Sequence, residues 1–304
     1  EEVGHYNGAY KVSQGLMARF GEDRVIDTPI AEAGFAGLAI GAAMAGLRPI
    51  VEFMTWNFSL VAIDQILNNA AKMHLMSGGQ FPMPIVFRAP QGAGGSLSAQ
   101  HSSTLENFYT YTPGLIVVAP SNPTDMRGLL KTSVRSDNPV IFLEHEKIYA
   151  VKGELGHSDD ADFLIPFGSA VLHEAAAPAQ LTIICWSMTL HTVTEAVKQL
   201  KAEGVETDVL DLRTLKPVDS EAIRRAVPAD AEVLAELGAS TFVETFGHLY
   251  KPEDLRHFLD ESHTAGAYAK TLANPDYALW IAERDGEAIG TPFDATKPPT
   301  ATNS

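Results

Sequence analysis

Along the first half of the chain, short and almost wholly apolar runs alternate with longer stretches whose apolar residues recur at helical spacing. Residues 49–54 (PIVEFM), 85–90 (IVFRAP), 115–120 (LIVVAP) and 139–144 (PVIFLE) are the apolar runs, and their length suits strands. Helices are predicted over residues 12–20, 34–47, 60–76 and 123–136, with a short strand at 25–27. Ser121 followed by Pro123 reads as a helix start, a cap and then proline in the first turn. Strands apolar on both faces and interleaved with helices predict a mostly parallel sheet flanked by helices, an α/β fold.

A polar stretch, residues 149–163 with GHSDDAD at its heart, reads as an interdomain linker. Beyond it the alternation resumes with strands at 181–186 and 205–212 and helices at 190–202 and 220–226. That is the start of a second α/β domain, and it is incomplete. The 304 residues agree with about two domains. A net charge of -16 without any basic stripe argues against nucleic-acid binding. The longest apolar stretch, residues 34–47, is too short to span a bilayer, which needs about 20 residues. Cys185 is the single cysteine, so no intrachain disulfide forms, and its apolar run makes it a small buried hydrophobe. At the other end, EEVGHYNGAYKVSQGL opens on a polar loop, as though earlier elements of the domain were missing.

Three residues of the first domain carry candidate chemistry. Glu32 stands in TPIAEAGFAGLAIG, between a strand and a helix crowded with Gly and Ala. Taken alone, it is explained as a helix-start acid favoured by the dipole. So many glycines disfavour a helix unless a neighbour comes close, either another helix or a cofactor. His101 follows the glycine-rich loop after the 85–90 strand, and ligands of open α/β sheets bind beyond the carboxyl ends of strands. Phe58 can stack on a ring or simply fill the core.

The ordered strings IDTPIAEAGFAGLAIGAAMAGLRPIVEFMTWNFS, AIDQILNNAAKMHLMSGGQ, PIVFRAPQGAGG, AQHSS, YTPGLIVVAPSNPTDMRGLL and DLRTLKPVD resemble the beta subunits of thiamine-diphosphate-dependent 2-oxo acid dehydrogenases. The wording is nearest to the pyruvate type, with the acetoin and branched-chain types close. The resemblance implies a transketolase-like pyrimidine-binding domain over 1–148, the linker, and part of a transketolase C-terminal domain over 164–227. It implies that Glu32 hydrogen-bonds N1′ of the cofactor's aminopyrimidine and so promotes loss of the C2 proton. Met54 and Phe58 would pack against the pyrimidine, and His101 would lie near the reacting carbon. A monovalent cation such as potassium would be held at Ile85, Ser133, Val134, Ser136 and Asn138, largely by backbone carbonyls; Ser136 stands where the family often has Asp. The diphosphate-and-magnesium motif GDG…N is missing from the sequence. The resemblance therefore implies an alpha subunit that brings magnesium and the other half of the site. It further implies a heterotetramer of two alpha and two beta chains, a lipoyl-bearing acyltransferase core, a small 2-oxo acid substrate, and a bacterial cytoplasm or mitochondrial matrix.

After about Val227 the wording departs from that family. Residues 228–290 resemble the N-terminal part of a GNAT-superfamily N-acetyltransferase, two helices and then the first hairpin, without the glycine-rich turn that holds acetyl-CoA. Residues 291–304, rich in Pro and Thr, are expected to be a disordered tail. A chimeric C-terminus of this kind leaves two readings open: a working subunit, or a non-catalytic fusion remnant. A nicotinamide-cofactor enzyme is excluded, since neither GFAGLAIG nor QGAGGS supplies G-x-G-x-x-G opening a helix with an acid about 20 residues on.

Overall fold

The computed structural model describes residues 1–95, 97–177, 179–274, 277, 279–284 and 287–290. The first stretch carries α1 (Leu16–Phe20), α2 (Glu32–Met44), β1 (Ile50–Glu52), α3 (Met73–Met76) and β2 (Val86–Gln91). Then come α4 (Glu106–Tyr111), β3 (Ile116–Val118), α5 (Pro123–Arg135) and β4 (Val140–His145). β5 (Val171–His173), β6 (Leu181–Cys185), α6 (Met188–Ala202) and β7 (Thr207–Asp211) precede β8 (Thr214–Lys216) and β9 (Ile223–Arg225). The chain ends in α7 (Ala231–Phe246), α8 (Pro252–Ser262), α9 (Ala265–Ala273), β10 (Trp280–Arg284) and β11 (Glu287–Gly290).

Two compact units result. The first comprises Glu1–Ser169, Trp186–Thr192 and Asp211–Val218. Its sheet runs β1-β2-β4-β3-β8, parallel except for β8, which lies antiparallel to β3. β2 is buried along its whole length and β4 along all but its last residue, as near-continuous apolar strands require. One side of the core joins Phe35, Ile40, Phe53, Trp56, Phe87 and Tyr109; Val118, Leu129, Phe142 and Ile165 form a second cluster. The second unit comprises Ala170–Cys185, Val193–Leu210 and residues from Asp219 onward. It holds two three-stranded sheets, β5-β7-β6 and β11-β10-β9, with Leu234, Tyr268, Leu279 and Ile281 at the centre of its core.

Several predicted elements change form. Residues 60–76 are not one amphipathic helix: 3₁₀ turns over Trp56–Ala62 lead into π-helical Gln65–Ala70 and then the single turn α3. Residues 25–27 form no strand. α5 is capped by Asn122, whose side chain accepts from the Asp125 N–H at 2.9 Å, and not by Ser121, whose hydroxyl is buried. The helix predicted at 220–226 is instead β9, because Ile223, Arg224 and Arg225 pair with Ala282, Ile281 and Trp280 of β10. Long-range pairing overrides a local helical pattern there.

Residues 149–163, expected as a linker, lie along α5 in the first unit. Thr124 Oγ1 donates to Glu154 O and accepts from Gly156 N–H, and Arg127 donates to the carbonyls of His157 and Asp160. The expected tail, 291–304, falls outside the described residues. None of the described helices is long and apolar enough to cross a membrane.

Candidate active site

Glu32 is the first residue of α2 and is only 8% exposed. The helix forms there without a side-chain cap, and Phe35, Ala36, Ile40 and Ala43 bury one face of it. Its glycines are only partly used within this chain. A Cβ on Gly37 would meet the Gln65 amide at 3.2 Å, whereas one on Gly41 would meet nothing within 4 Å. No hydrogen bond from a described residue reaches the Glu32 carboxylate, so its acceptor capacity stays open. Beside it lies a second acid that the spacing of the sequence gave no sign of. Burial, reinforced by the negative charge of Glu32, raises the pKa of the Glu1 carboxyl above its ordinary value. Glu1 Oε1 accepts from the Met54 N–H at 3.2 Å, while Oε2 is buried without a partner, as is the Thr28 hydroxyl. Half-buried Met54 is thus tied to Glu1, whose carboxyl feels the charge of Glu32.

Phe58 and His101 form a second contact pair. Phe58 stands on the 3₁₀ turns after β1, and its N–H donates to Thr55 O. His101 ends a short 3₁₀ turn, Ala99–His101, on the glycine-rich loop after β2. Their rings meet edge to face, with centroids 5.1 Å apart. Two residues 43 positions apart in sequence, on different loops, are therefore in contact (101 − 58 = 43).

The five candidate cation residues gather where α5 ends and β4 begins. Unsatisfied carbonyls and the negative end of the helix dipole favour a cation at such a point. A cation is already there. Arg48 Nη1 donates to Val134 O at 3.2 Å and Ser136 O at 2.9 Å, and Arg48 Nη2 pairs with Asp137. Ser133 O accepts from Ser136 N–H, Asn138 O from the Ser136 hydroxyl, and Ile85 O from Val140 N–H. Each carbonyl keeps a second lone pair. Sequence reasoning missed Arg48, although its place before Pro49 in LRPI put it close to the first strand. Among the described residues, no group of three or more His, Cys, Asp or Glu side chains converges as a metal site. The second unit has a cavity of about 530 Å³ lined by Arg224, Val233, Glu236, Leu237 and Glu283, none of them a predicted site residue.

Residues 1–152 match the transketolase pyrimidine binding domain and residues 171–238 the transketolase C-terminal domain. The beta subunit of the pyruvate dehydrogenase E1 component of Rickettsia conorii is 45% identical over 291 residues, covering 90% of this chain and 86% of that relative. The chain belongs to the pyruvate dehydrogenase E1 beta-subunit family. Mitochondrial members from Rattus norvegicus and Caenorhabditis elegans are 50% and 51% identical over 75% of this chain. The chain spans 63% of the length of the rat relative and 64% of the nematode one. A solved structure described as a split gene transketolase, an inactive beta4 tetramer, superposes with a TM-score of 0.56 at 18% identity. It covers 86% of this chain, 89% of its own, and shows the same fold.

Proposed function

We propose that the chain is the beta subunit of a thiamine-diphosphate-dependent pyruvate dehydrogenase and supplies the pyrimidine half of an active site completed by an alpha subunit. The observation that carries this is Glu32, 8% exposed and reached by no donor among the described residues, with the buried, unpartnered Oε2 of Glu1 beside it. Buried acceptors that lack donors fit an aminopyrimidine, which brings N–H groups to them. When bound, thiamine diphosphate supplies the carbon nucleophile for decarboxylation of the 2-oxo acid, with acyl transfer to lipoyl.

The residues of this chain bind and orient it. Glu32 accepts from N1′ and holds a proton at that atom, in surroundings where burial strengthens the bond. Met54 and Phe58 pack against the ring, and His101, against the edge of Phe58, moves or holds a proton on the substrate side. The end of α5, with Ile85, Ser133, Val134, Ser136 and Asn138, would take potassium alongside Arg48. Magnesium would come with the alpha subunit, in keeping with the lack of GDG…N in this chain. An α2 surface with Gly41 facing open space supports a close-packed partner there, in a heterotetramer of two alpha and two beta chains docked on a lipoyl-bearing core. Relatives in mitochondria and in Rickettsia support a mitochondrial matrix or bacterial cytoplasm.

Residues 228–290 retain their likeness to the opening of a GNAT acetyltransferase as a proposal, supported by a helical run followed by the β10–β11 hairpin. We assign them no acetyl transfer.

The test mixes the full chain with an alpha subunit and measures thiamine-diphosphate binding and pyruvate-dependent dye reduction. Glu32→Gln should lower turnover by about 100-fold or more while the subunits still assemble. Equal turnover in parent and variant would remove Glu32 from its role, and failure of both to assemble would favour the fusion-remnant reading. Comparing pyruvate with branched-chain 2-oxo acids and acetoin decides the substrate.

A further inference from the structure

The loop that carries His101 leaves β2 at Gly92 and returns at Ser103, where Gly92 N–H donates to Ser103 O at 3.0 Å. Gln91 reinforces that base by donating to Glu106 and accepting from Leu105 N–H. Between the two ends, among the described residues of 93–102, one hydrogen bond leaves the loop. Gly95 N–H donates to Glu146 Oε2 at 2.7 Å.

Glu146 is itself fixed. It follows β4 directly, is nearly buried, and its other carboxylate oxygen accepts from the Tyr10 hydroxyl. Tyr10 in turn packs edge-on against Tyr149, with centroids 5.5 Å apart. The loop lies so close to this support that a Cβ on Gly92 would come 2.2 Å from the His145 ring and one on Gly94 2.3 Å from Glu146 Cβ. At Gly92, φ is +87° as well. These glycines therefore let the backbone settle onto the end of β4.

We propose that Glu146 is the positioning residue for His101: it pins the outgoing arm of the loop, and Tyr10 braces it from the N-terminal segment. This rests on the reading of His101 as a catalytic residue. The bonding pattern separates positioning from chemistry. A Gln at 146 can still accept from Gly95 N–H with its amide oxygen and meet Tyr10 with its amide nitrogen, so the tether does not require the negative charge. Leu offers neither bond.

The decisive experiment compares Glu146→Leu and Glu146→Gln in the full chain assembled with the alpha subunit. In the leucine variant, amide hydrogen exchange over residues 93–103 should rise about tenfold while β2 and β4 keep their protection. Its kcat for pyruvate should fall about 10- to 100-fold at unchanged thiamine-diphosphate affinity. The glutamine variant should stay within about twofold of the parent in both readouts. In a His101→Ala background Glu146→Leu should add no further loss of kcat. Unchanged exchange in the leucine variant, additive losses, or a glutamine variant as impaired as the leucine one would each overturn the proposal. Glu146→Asp, one methylene short of Gly95, carries the same exchange test should the leucine variant fail to fold. Were His101→Ala to keep full activity, the reading of His101 would fall, while raised exchange in Glu146→Leu would still establish the tether.

Discussion

Each unit of the chain contains an arginine held between two carboxylates, and the two triads differ in their contact with water. In the first unit, Arg88 on β2 reaches Glu52 on β1 and Glu144 on β4, three neighbouring parallel strands. In the second, Arg224 on β9 reaches Glu283 on β10 and Asp230 just before α7. The Arg88 side chain is 6% exposed and that of Arg224 is 34% exposed. The carboxylates register the difference with opposite signs. Burial raises Glu52 above its ordinary value despite the opposing charge of Arg88. Hydrogen bonds from Arg224 lower Asp230 despite its burial. Similar side-chain chemistry thus gives one triad dominated by desolvation and one dominated by pairing.

The largest effect expected from this contrast is at Arg88. Arg88→Met leaves Glu144 buried with the Tyr149 hydroxyl as its one remaining side-chain donor among the described residues, and should cost about 3–5 kcal/mol in denaturant unfolding. Adding Glu52→Gln and Glu144→Gln should recover much of that loss, because the uncompensated charges disappear with it. A loss that persists in the triple variant would mean that packing of Arg88, not its charge, holds the strands together. Arg224→Met should cost only about 1 kcal/mol, since the guanidinium is itself partly solvated and Asp230 keeps the Val227 N–H as a donor. A cost as large as that of Arg88→Met would dissolve the contrast.

The smallest effect is in the pH dependence. Glu52 binds its proton more tightly in the folded chain, so its contribution to stability is full below its unfolded value of about 4.5 and fades as pH rises through the raised folded one. Asp230 is the reverse. Its contribution is present above about 3.8 and is lost as pH falls through the depressed folded value. Acidification from neutral toward pH 4.5 should therefore strengthen hydrogen-exchange protection of β1 and β2, and Glu52→Gln should abolish that gain. Below pH 3.8 protection of β9 should weaken, and Asp230→Asn should leave it flat.

Much of the first unit was legible in the sequence because its strands are buried on both faces. Runs such as IVFRAP and PVIFLE carry few polar residues to confuse the pattern, and β2 and β4 lie where they stand. Residues 60–76 misled because their apolar spacing suits a helix, while the backbone there is divided among 3₁₀, π and α turns. The β9 strand was invisible, since its partner in β10 lies more than fifty residues away and three helices intervene. At the candidate site, the places of Glu32 at a helix start and of His101 after a strand were legible, and the structure has both there, but the roles proposed for them came from the family resemblance alone. Glu1 and Glu146 were not legible, because the bonds that matter join positions 53 and 51 residues apart. Local pattern announces a residue's element; long-range contact decides its neighbours.

The strand β8 carries a consequence for how the polypeptide is made. It closes the exposed edge of β3, yet it is encoded after the whole of β5, β6 and β7. On a ribosome the first sheet must wait with one edge open while nearly a hundred further residues emerge beyond β3 (214 − 118 = 96). During that interval β3 offers unpaired backbone to any passing strand, the exposure that invites aggregation and chaperone binding. A gene cut at residue 169, where the first long segment of the unit ends, would make that waiting state permanent.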